Sequence, residues 1–245
     1  MRALILFAAI LALALQSCSQ PPEELSIGAA PVMMKPLDEL ATEFKGCKVS
    51  ISYAASGQIA QQVRQGAPFD LLILADKDNI EALAQEGFVL DGSVKVYART
   101  KLVVWAPEEK ERPKSFEDLA QTLGKIAVAN PDVSPYGKAA VQALQNSGLW
   151  EKVKDRLVYA ENVSQALQYA KAGDALVAIV PLPLVIDING YYFPVPTEHY
   201  TRPEQALAIL KGAQHEKCAW DFVAYFLGPK GKMALGKYGF EVVED

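Results

Sequence analysis

Histidine is nearly missing from this 245-residue chain: only His199 and His215 occur, without the spacing that two imidazoles need to grip one metal ion. Cysteine occurs three times, at 18, 47 and 218, too few and too scattered for a thiolate zinc site. The chain has no Gly-x-Ser-x-Gly elbow, no complete phosphate-binding loop and no dinucleotide-binding glycine fingerprint. Its carboxylates are plentiful but spread over helix faces, so no catalytic constellation and no cofactor site emerges, and the chain does not read as an enzyme. Positive charge is also short, with 24 Lys and Arg against 29 Asp and Glu and a formal net charge of −5. Without a basic stripe there is no electrostatic footprint for nucleic acid. No internal repeat is evident.

Long hydrophobic runs are confined to one place. After Met1-Arg2 the residues from Ala3 to Leu15 are all apolar, too short to span a bilayer and long enough for a signal-peptide core. The run ends in Leu15-Gln16-Ser17-Cys18, the pattern of a lipoprotein signal whose cysteine takes a lipid before cleavage. Residues 1–17 are therefore expected to be a signal peptide, Cys18 the lipidation site, and residues 18–24 a polar tether on the outer side of a membrane. Cys47 and Cys218 then remain as an even pair in an oxidising compartment, either a disulfide or two buried thiols.

Beyond the tether, strand and helix patterns alternate regularly. Apolar strands are expected at residues 25–30, 49–53 and 70–75. Helices between and after them have apolar faces at Leu37, Leu40, Ala41 and Phe44, at Ile59 and Val63, and over residues 78–87. The run Asp70-Leu71-Leu72-Ile73-Leu74-Ala75 is apolar after its first residue, as a strand buried on both faces must be. This β-α-β-α-β-α order predicts a parallel sheet covered by helices. Residues 94–106 form a β-rich stretch suited to a crossing between lobes. A second α/β series comes next: a short helix at 116–119, strands at 126–129, 157–159 and 175–180, and helices at 138–147 and 164–172. A strand at 207–210 and two closing helices complete the pattern. The fold class is α/β in two lobes, each a mixed, mostly parallel sheet flanked by helices: residues 25–99 in lobe I, 100–206 in lobe II and 207–245 returning to lobe I.

In such sheets ligands settle beyond the carboxyl ends of the strands, where the first N–H groups of helices lack carbonyl partners. Four strand-to-helix turns qualify: residues 29–33, 54–58, 130–137 and 161–164. They offer backbone donors and few charges, which suits an anion. Ser56 and Asn162 also suit plain helix capping. Met33-Met34 suits the core better than a soft-metal site, since no cysteine or histidine accompanies it.

Ala54-Ala55-Ser56-Gly57-Gln58-Ile59-Ala60-Gln61-Gln62-Val63 and Gly66-Ala67-Pro68-Phe69-Asp70 through Asp76 resemble the periplasmic molybdate-binding proteins of ABC importers. So do residues 102–107, 130–140 and 161–163 and the closing Leu227-Gly228-Pro229 and Tyr238-Gly239-Phe240, so that the likeness runs from about residue 25 to the end. The resemblance implies a type II periplasmic-binding-protein clamshell that holds a tetrahedral oxyanion, molybdate or tungstate, by hydroxyls and backbone N–H groups. It implies delivery to the membrane subunits of an ABC permease by a lipid-anchored monomer that hinges near residues 98–100 and 202–207. Ser56 matches the family's serine, Tyr136 and Val163 its backbone donors in the second lobe. At two ligand positions the chain departs from the pattern: Val32 stands in place of a serine hydroxyl and Pro181 in place of a tyrosine hydroxyl. The Tyr136 phenol is a candidate replacement for the donor missing at Pro181. The alternatives are a clamshell retuned for another small ligand, or a surface lipoprotein with an adhesive or signalling role.

Overall fold

The computed structural model describes residues 24–107 and 112–243. The expected signal peptide, Cys18 and the tether up to residue 23 lie outside the described residues. Strands β1 (Glu24–Ala29), β2 (Lys48–Tyr53), β3 (Leu71–Leu74), β4 (Lys95–Arg99), β10 (Glu204–Ile209) and β11 (Glu241–Val242) form one sheet in the order β11-β4-β10-β3-β1-β2. Within it β1 pairs in parallel with β2 and β3, while β10 runs antiparallel to β3 and β4, and β11 antiparallel to β4. Strands β5 (Leu102–Ala106), β6 (Ile126–Ala129), β7 (Leu157–Ala160), β8 (Val177–Pro181) and β9 (Tyr191–Pro194) form the second sheet, ordered β7-β6-β8-β5-β9, with only β5 reversed. The two-lobed mixed α/β architecture is the one anticipated.

The first lobe carries helices α1 (Met34–Glu43), α2 (Ser56–Arg64) and α3 (Lys77–Gln85). The second carries α4 (Pro135–Asn146), α5 (Trp150–Val153) and α6 (Val163–Ala172), and α7 (Glu216–Leu227) and α8 (Pro229–Lys237) return to the first. Strand β3 shows why its sequence is apolar throughout. Leu71 and Ile73 pack into the main core, whereas Leu72 and Leu74 face a second layer built on Ile59, Val63, Ile80 and Leu83. Met33, fully buried, belongs to the main core.

Three local expectations change. The helix expected at 116–119 is a single 3-10 turn, Glu117–Ala120, because the Asp118 carboxylate turns back to accept from the N–H groups of Lys114 and Ser115. Strand β9 was not anticipated from the sequence. Its four residues end in Pro194, the last position of an edge strand paired only with β5, where a missing N–H breaks no interior ladder bond. The β-rich stretch 94–106 is two strands in different sheets, and the chain crosses between them at Thr100 and Lys101. It is back in the first sheet by Glu204, ahead of residue 207, because Glu204 and Gln205 already pair with Arg99 and Ala98.

The two crossings are tied together where the lobes join. The Tyr200 hydroxyl accepts from the Leu102 N–H at 2.9 Å, and the Glu241 carboxylate receives Lys101 at 2.9 Å and Arg202 at 2.6 Å, one from each crossing. The most specific motif of the sequence also has a structural task. Asp70, ending Gly-Ala-Pro-x-Asp, is 3% exposed and accepts from the Ser26 N–H at 2.9 Å and the His215 N–H at 3.1 Å. It thereby joins the first strand to the start of α7.

Cys47 and Cys218 form a disulfide, with Cα atoms 6.4 Å apart, between the entry to β2 and α7. Beside it Phe44 meets the Phe222 ring edge-on at 5.1 Å. The bridge closes a loop of 171 residues in sequence, so it removes much freedom from the unfolded chain. The Cys47→Ser, Cys218→Ser variant is expected to lose about 2–4 kcal/mol in a denaturant titration, with the fold intact by circular dichroism. An unchanged midpoint would show that the bridge constrains nothing that packing does not.

Candidate functional site

Four chain turns meet between the lobes, and backbone hydrogen bonds tie them into a ring. Ala54 donates to the Ala29 carbonyl at 3.2 Å, which links the turn before α2 to the turn before α1. Asn130 donates to the Ala160 carbonyl at 2.7 Å, linking the two turns of the second lobe. Across the lobes, the Gly57 N–H donates to the Val133 carbonyl at 2.9 Å. The ring closes where the 3-10 turn Pro31–Met33 packs against α6 and against the 3-10 turn Leu182–Leu184 that comes after Pro181. A side chain at Gly57 would put its Cβ 3.0 Å from the Val133 oxygen, so glycine permits this approach.

Each of the five predicted ligand positions lies on this ring or beside it, and each is buried. Val32 is 2% exposed, Ser56 1%, Tyr136 2% and Val163 3%, and Pro181 ends the buried strand β8. Val32, Ser56, Tyr136 and Val163 are the first or second residues of their helical turns, ahead of the internal hydrogen-bond ladder. None of their four N–H groups has a protein acceptor among the described residues. The charged residues of these turns, Asp132 and Glu161, are exposed, and none of the four donor positions carries a charge. Lys35, at the start of α1, is engaged with Asp187.

Side-chain roles are more particular than the sequence suggested. Ala55, not Ser56, holds the N-cap position of α2, and Ser56 is its first helical residue. The Ser56 oxygen accepts from the Ala75 N–H at 3.0 Å, which fixes the hydroxyl in place, and its single proton is shared between the neighbouring Asp76 carboxylate and any ligand in the ring. Asn162 does cap α6, accepting from the Gln165 N–H at 3.0 Å, and Ser134 caps α4 through the Gly137 N–H. The Tyr136 hydroxyl is buried without a hydrogen-bond partner, the one such hydroxyl among the described residues. Burial pushes its pKa well up, and the neighbouring Tyr97, Tyr200 and Asp76 push it further. At Val32 and Pro181 there is no hydroxyl, and the turns that carry them face each other.

A cavity of about 1320 Å³ opens next to the ring on the side of the crossings, touching it at Gly57, Val133, Ser134 and Pro135. Its basic residues, Lys77, Arg99, Lys138 and Arg202, are matched by Asp76, Asp78, Asp132 and Glu204. Glu204 receives both Lys77 and Arg99, so this space holds little net positive potential to collect an anion. The ring of neutral donors is the better anion site.

Comparison with known proteins agrees with the two-lobed architecture. A family model described as bacterial extracellular solute-binding protein matches residues 25–241. The molybdate-binding protein ModA of Azotobacter vinelandii is 32% identical over 238 residues, covering 92% of this chain and 93% of that protein. ModA of Rhodobacter capsulatus is 31% identical over 207 residues, covering 84% of this chain and 82% of its own. The solved periplasmic molybdate-binding protein of Azotobacter vinelandii superimposes with a TM-score of 0.84 at 31% identity, covering 90% of this chain and all of that one (100%).

Sequence reasoning passed over Asp76, although its place directly after an apolar strand and before a helix signals an N-cap. It is 7% exposed, near Ser56 and Tyr136, and caps α3 by accepting from the Asn79 N–H at 2.8 Å. Burial raises its pKa above the usual carboxylate value, against the opposing hydrogen bonds from Asn79 and the Ser56 hydroxyl. A carboxyl whose folded pKa is raised binds its proton more tightly in the folded state, so its ionisation costs stability as pH rises through that pKa. Asp76→Asn keeps the cap and removes the charge. It is expected to melt higher than the natural protein at pH 7, with the gain disappearing near about pH 3.5, where the carboxyl is largely protonated in both folded and unfolded chains. Equal melting temperatures at both pH values would mean that Asp76 carries no unfavourable buried charge.

Proposed function

The chain belongs to the bacterial extracellular solute-binding protein family, and from that membership we propose that it captures molybdate or tungstate between its lobes for uptake by an ABC importer. The observation that carries this reading is the meeting of four unpartnered N–H groups from helix starts, at buried positions that carry no charge. A tetrahedral dianion in that ring loses its water but gains donors already aimed at it. The positive ends of the helix dipoles add to the attraction. Each hydrogen bond to a charged group contributes roughly 1.5–3 kcal/mol. A ring of donors alone favours the fully ionised anion, and its size separates molybdate from the smaller sulfate.

In this reading Val32, Ser56, Tyr136 and Val163 donate through their backbone N–H groups and Ser56 through its hydroxyl as well, while Pro181 closes the wall. The two hydroxyls absent at Val32 and Pro181 would weaken binding by about 10² to 10⁴-fold if nothing replaced them. The Tyr136 hydroxyl, buried and without a partner, is the group best suited to replace one of them. The lobes rotate about the crossings at Thr100–Lys101 and Arg202–Pro203, and the permease subunits recognise the closed form. A lipid on Cys18 holds the protein, as a monomer, at the membrane.

Isothermal titration of protein freed of ligand by unfolding and refolding tests the reading. Molybdate and tungstate are expected to bind tightly and sulfate and phosphate weakly. Silence from all four with the protein folded would favour a retuned cargo, for which the apolar Val32 and Pro181 would be the reason.

Two substitutions test the donors. Ser56→Ala is expected to weaken molybdate about 10- to 100-fold, since it removes a donor to a charged ligand. Tyr136→Phe is expected to weaken it about ten-fold while leaving the unliganded protein equally or more stable, because an unpaired buried hydroxyl costs roughly 1–3 kcal/mol. Unchanged affinity in Tyr136→Phe would assign that hydroxyl to the junction of the lobes instead.

A further inference from the structure

Asp70 and Asp76 are the buried carboxylates among the described residues, and their surroundings differ. Asp70 has the His215 ring 3.1 Å from one oxygen and backbone donors at the other, so its charge is matched where it lies. Asp76 has only neutral partners. It accepts from the Asn79 N–H at 2.8 Å and from the Asn79 amide at 3.0 and 3.1 Å, and the nearby charge that acts on it, Asp78, has its own sign.

The elements packed around Asp76 do not supply a counter-charge. Lys77 on its own helix and Arg99 on β4 are both held by Glu204 on β10, and Arg202 is held by Glu241. Asp132 and Lys138 line the same cavity from the second lobe, and among the described residues none of these cations forms an ion pair with Asp76. Of the two phenols that feel its charge, Tyr97 turns its hydroxyl to the Leu74 carbonyl and the Gln205 Oε1, each at 3.3 Å, and the Tyr136 hydroxyl bonds nothing. A carboxylate placed so is costly when ionised, and burial holds its proton more tightly than in an ordinary aspartate.

Its link to the ring is Ser56. The Ser56 oxygen has two lone pairs and one proton; one lone pair takes the Ala75 N–H, and the Asp76 carboxyl bonds the same hydroxyl. When Asp76 is ionised it draws the Ser56 proton to itself, and an anion in the ring meets a negative charge behind a hydroxyl with nothing to donate. When Asp76 is protonated, its O–H donates to the second lone pair of the Ser56 oxygen, and the Ser56 proton is released to the anion. We infer that Asp76 is a positioning residue for the anion: entry of the anion draws a proton from the buffer onto the Asp76 carboxylate, and that proton turns the Ser56 hydroxyl toward the ligand. The inference rests on the reading of the ring as an anion site. Linkage fixes the sign, since protonation and anion binding must strengthen each other by the same factor. Affinity is therefore highest at low pH and falls as pH rises through the titration of Asp76. The cavity that Asp76 lines lets the proton arrive without crossing the ring.

The test is calorimetric titration of the full protein with molybdate at about pH 6, 7 and 8.5, where the oxyanion itself stays fully ionised, each time in two buffers of different ionisation heat. The natural protein is expected to bind about ten-fold or more weakly at the highest pH than at the lowest, and to show buffer-dependent heats that report proton uptake. Asp76→Asn keeps the acceptor for Asn79 and places an N–H where the protonated acid has its O–H. It is expected to bind with one affinity at all three pH values, at least as tightly as the natural protein at the lowest, and with heats that do not depend on the buffer. In a Ser56→Ala background the gain from Asp76→Asn at high pH is expected to shrink, because the hydroxyl that carries the effect is gone. Natural protein that binds with the same affinity and heat at every pH would overturn the inference. So would Asp76→Asn if it kept the pH profile or shifted affinity equally at every pH, as would an equal gain without Ser56. Absence of molybdate binding in both the natural protein and Asp76→Asn would instead refute the anion site itself, and the inference with it.

Discussion

A helical turn cannot satisfy its own first N–H groups, and the architecture here collects three α-helix starts and one 3-10 turn at one place. The strands of each lobe run toward the gap between them, so the turns that leave β1, β2, β6 and β7 all open there. The bonds Ala54 to Ala29, Asn130 to Ala160 and Gly57 to Val133 hold those turns in register. Donors left unpaired in a buried ring are costly to the protein alone and favourable to an anion, and this asymmetry gives the site its chemical preference. It also accounts for the absence of lysine or arginine from the ring. A buried cation would need its own partner, whereas helix ends provide partial positive charge without one.

Most of the specific residues serve to hold that ring. Asp70 fastens the start of β1 to the start of α7, the disulfide fastens α7 to the entry of β2, and Ser56 fastens its turn to the backbone after β3. Asp76 caps the next helix at the same edge and keeps a carboxyl buried near the ring, an electrostatic cost set against the geometry it secures.

The lobes themselves act as part of the site. Glu241 grips both crossings at once, and Tyr200 bonds one crossing to the other, which confines motion to rotation about that edge. The apolar contact of the Pro31–Met33 turn with Leu182–Leu184 adjoins the same crossing, since the Leu182 N–H donates to the Lys101 carbonyl at 2.9 Å.

The sequence by itself determined the alternation of strands and helices, because periods of two and of 3.6 are written in the apolar residues of each segment. It also marked the four turns and the family resemblance, since these depend only on order along the chain. What it left open depends on residues far apart in order. The pairing of Cys47 with Cys218, the Ser56 hydroxyl turning to Ala75 instead of capping its own helix, and the return to the first sheet at Glu204 each need a partner brought from elsewhere. So do the Gly57 contact with Val133 and the meeting of Lys35 with Asp187, which exist only because one lobe lies against the other. Local pattern sets what each segment becomes; only packing decides which of its polar atoms are already satisfied and which remain for a ligand.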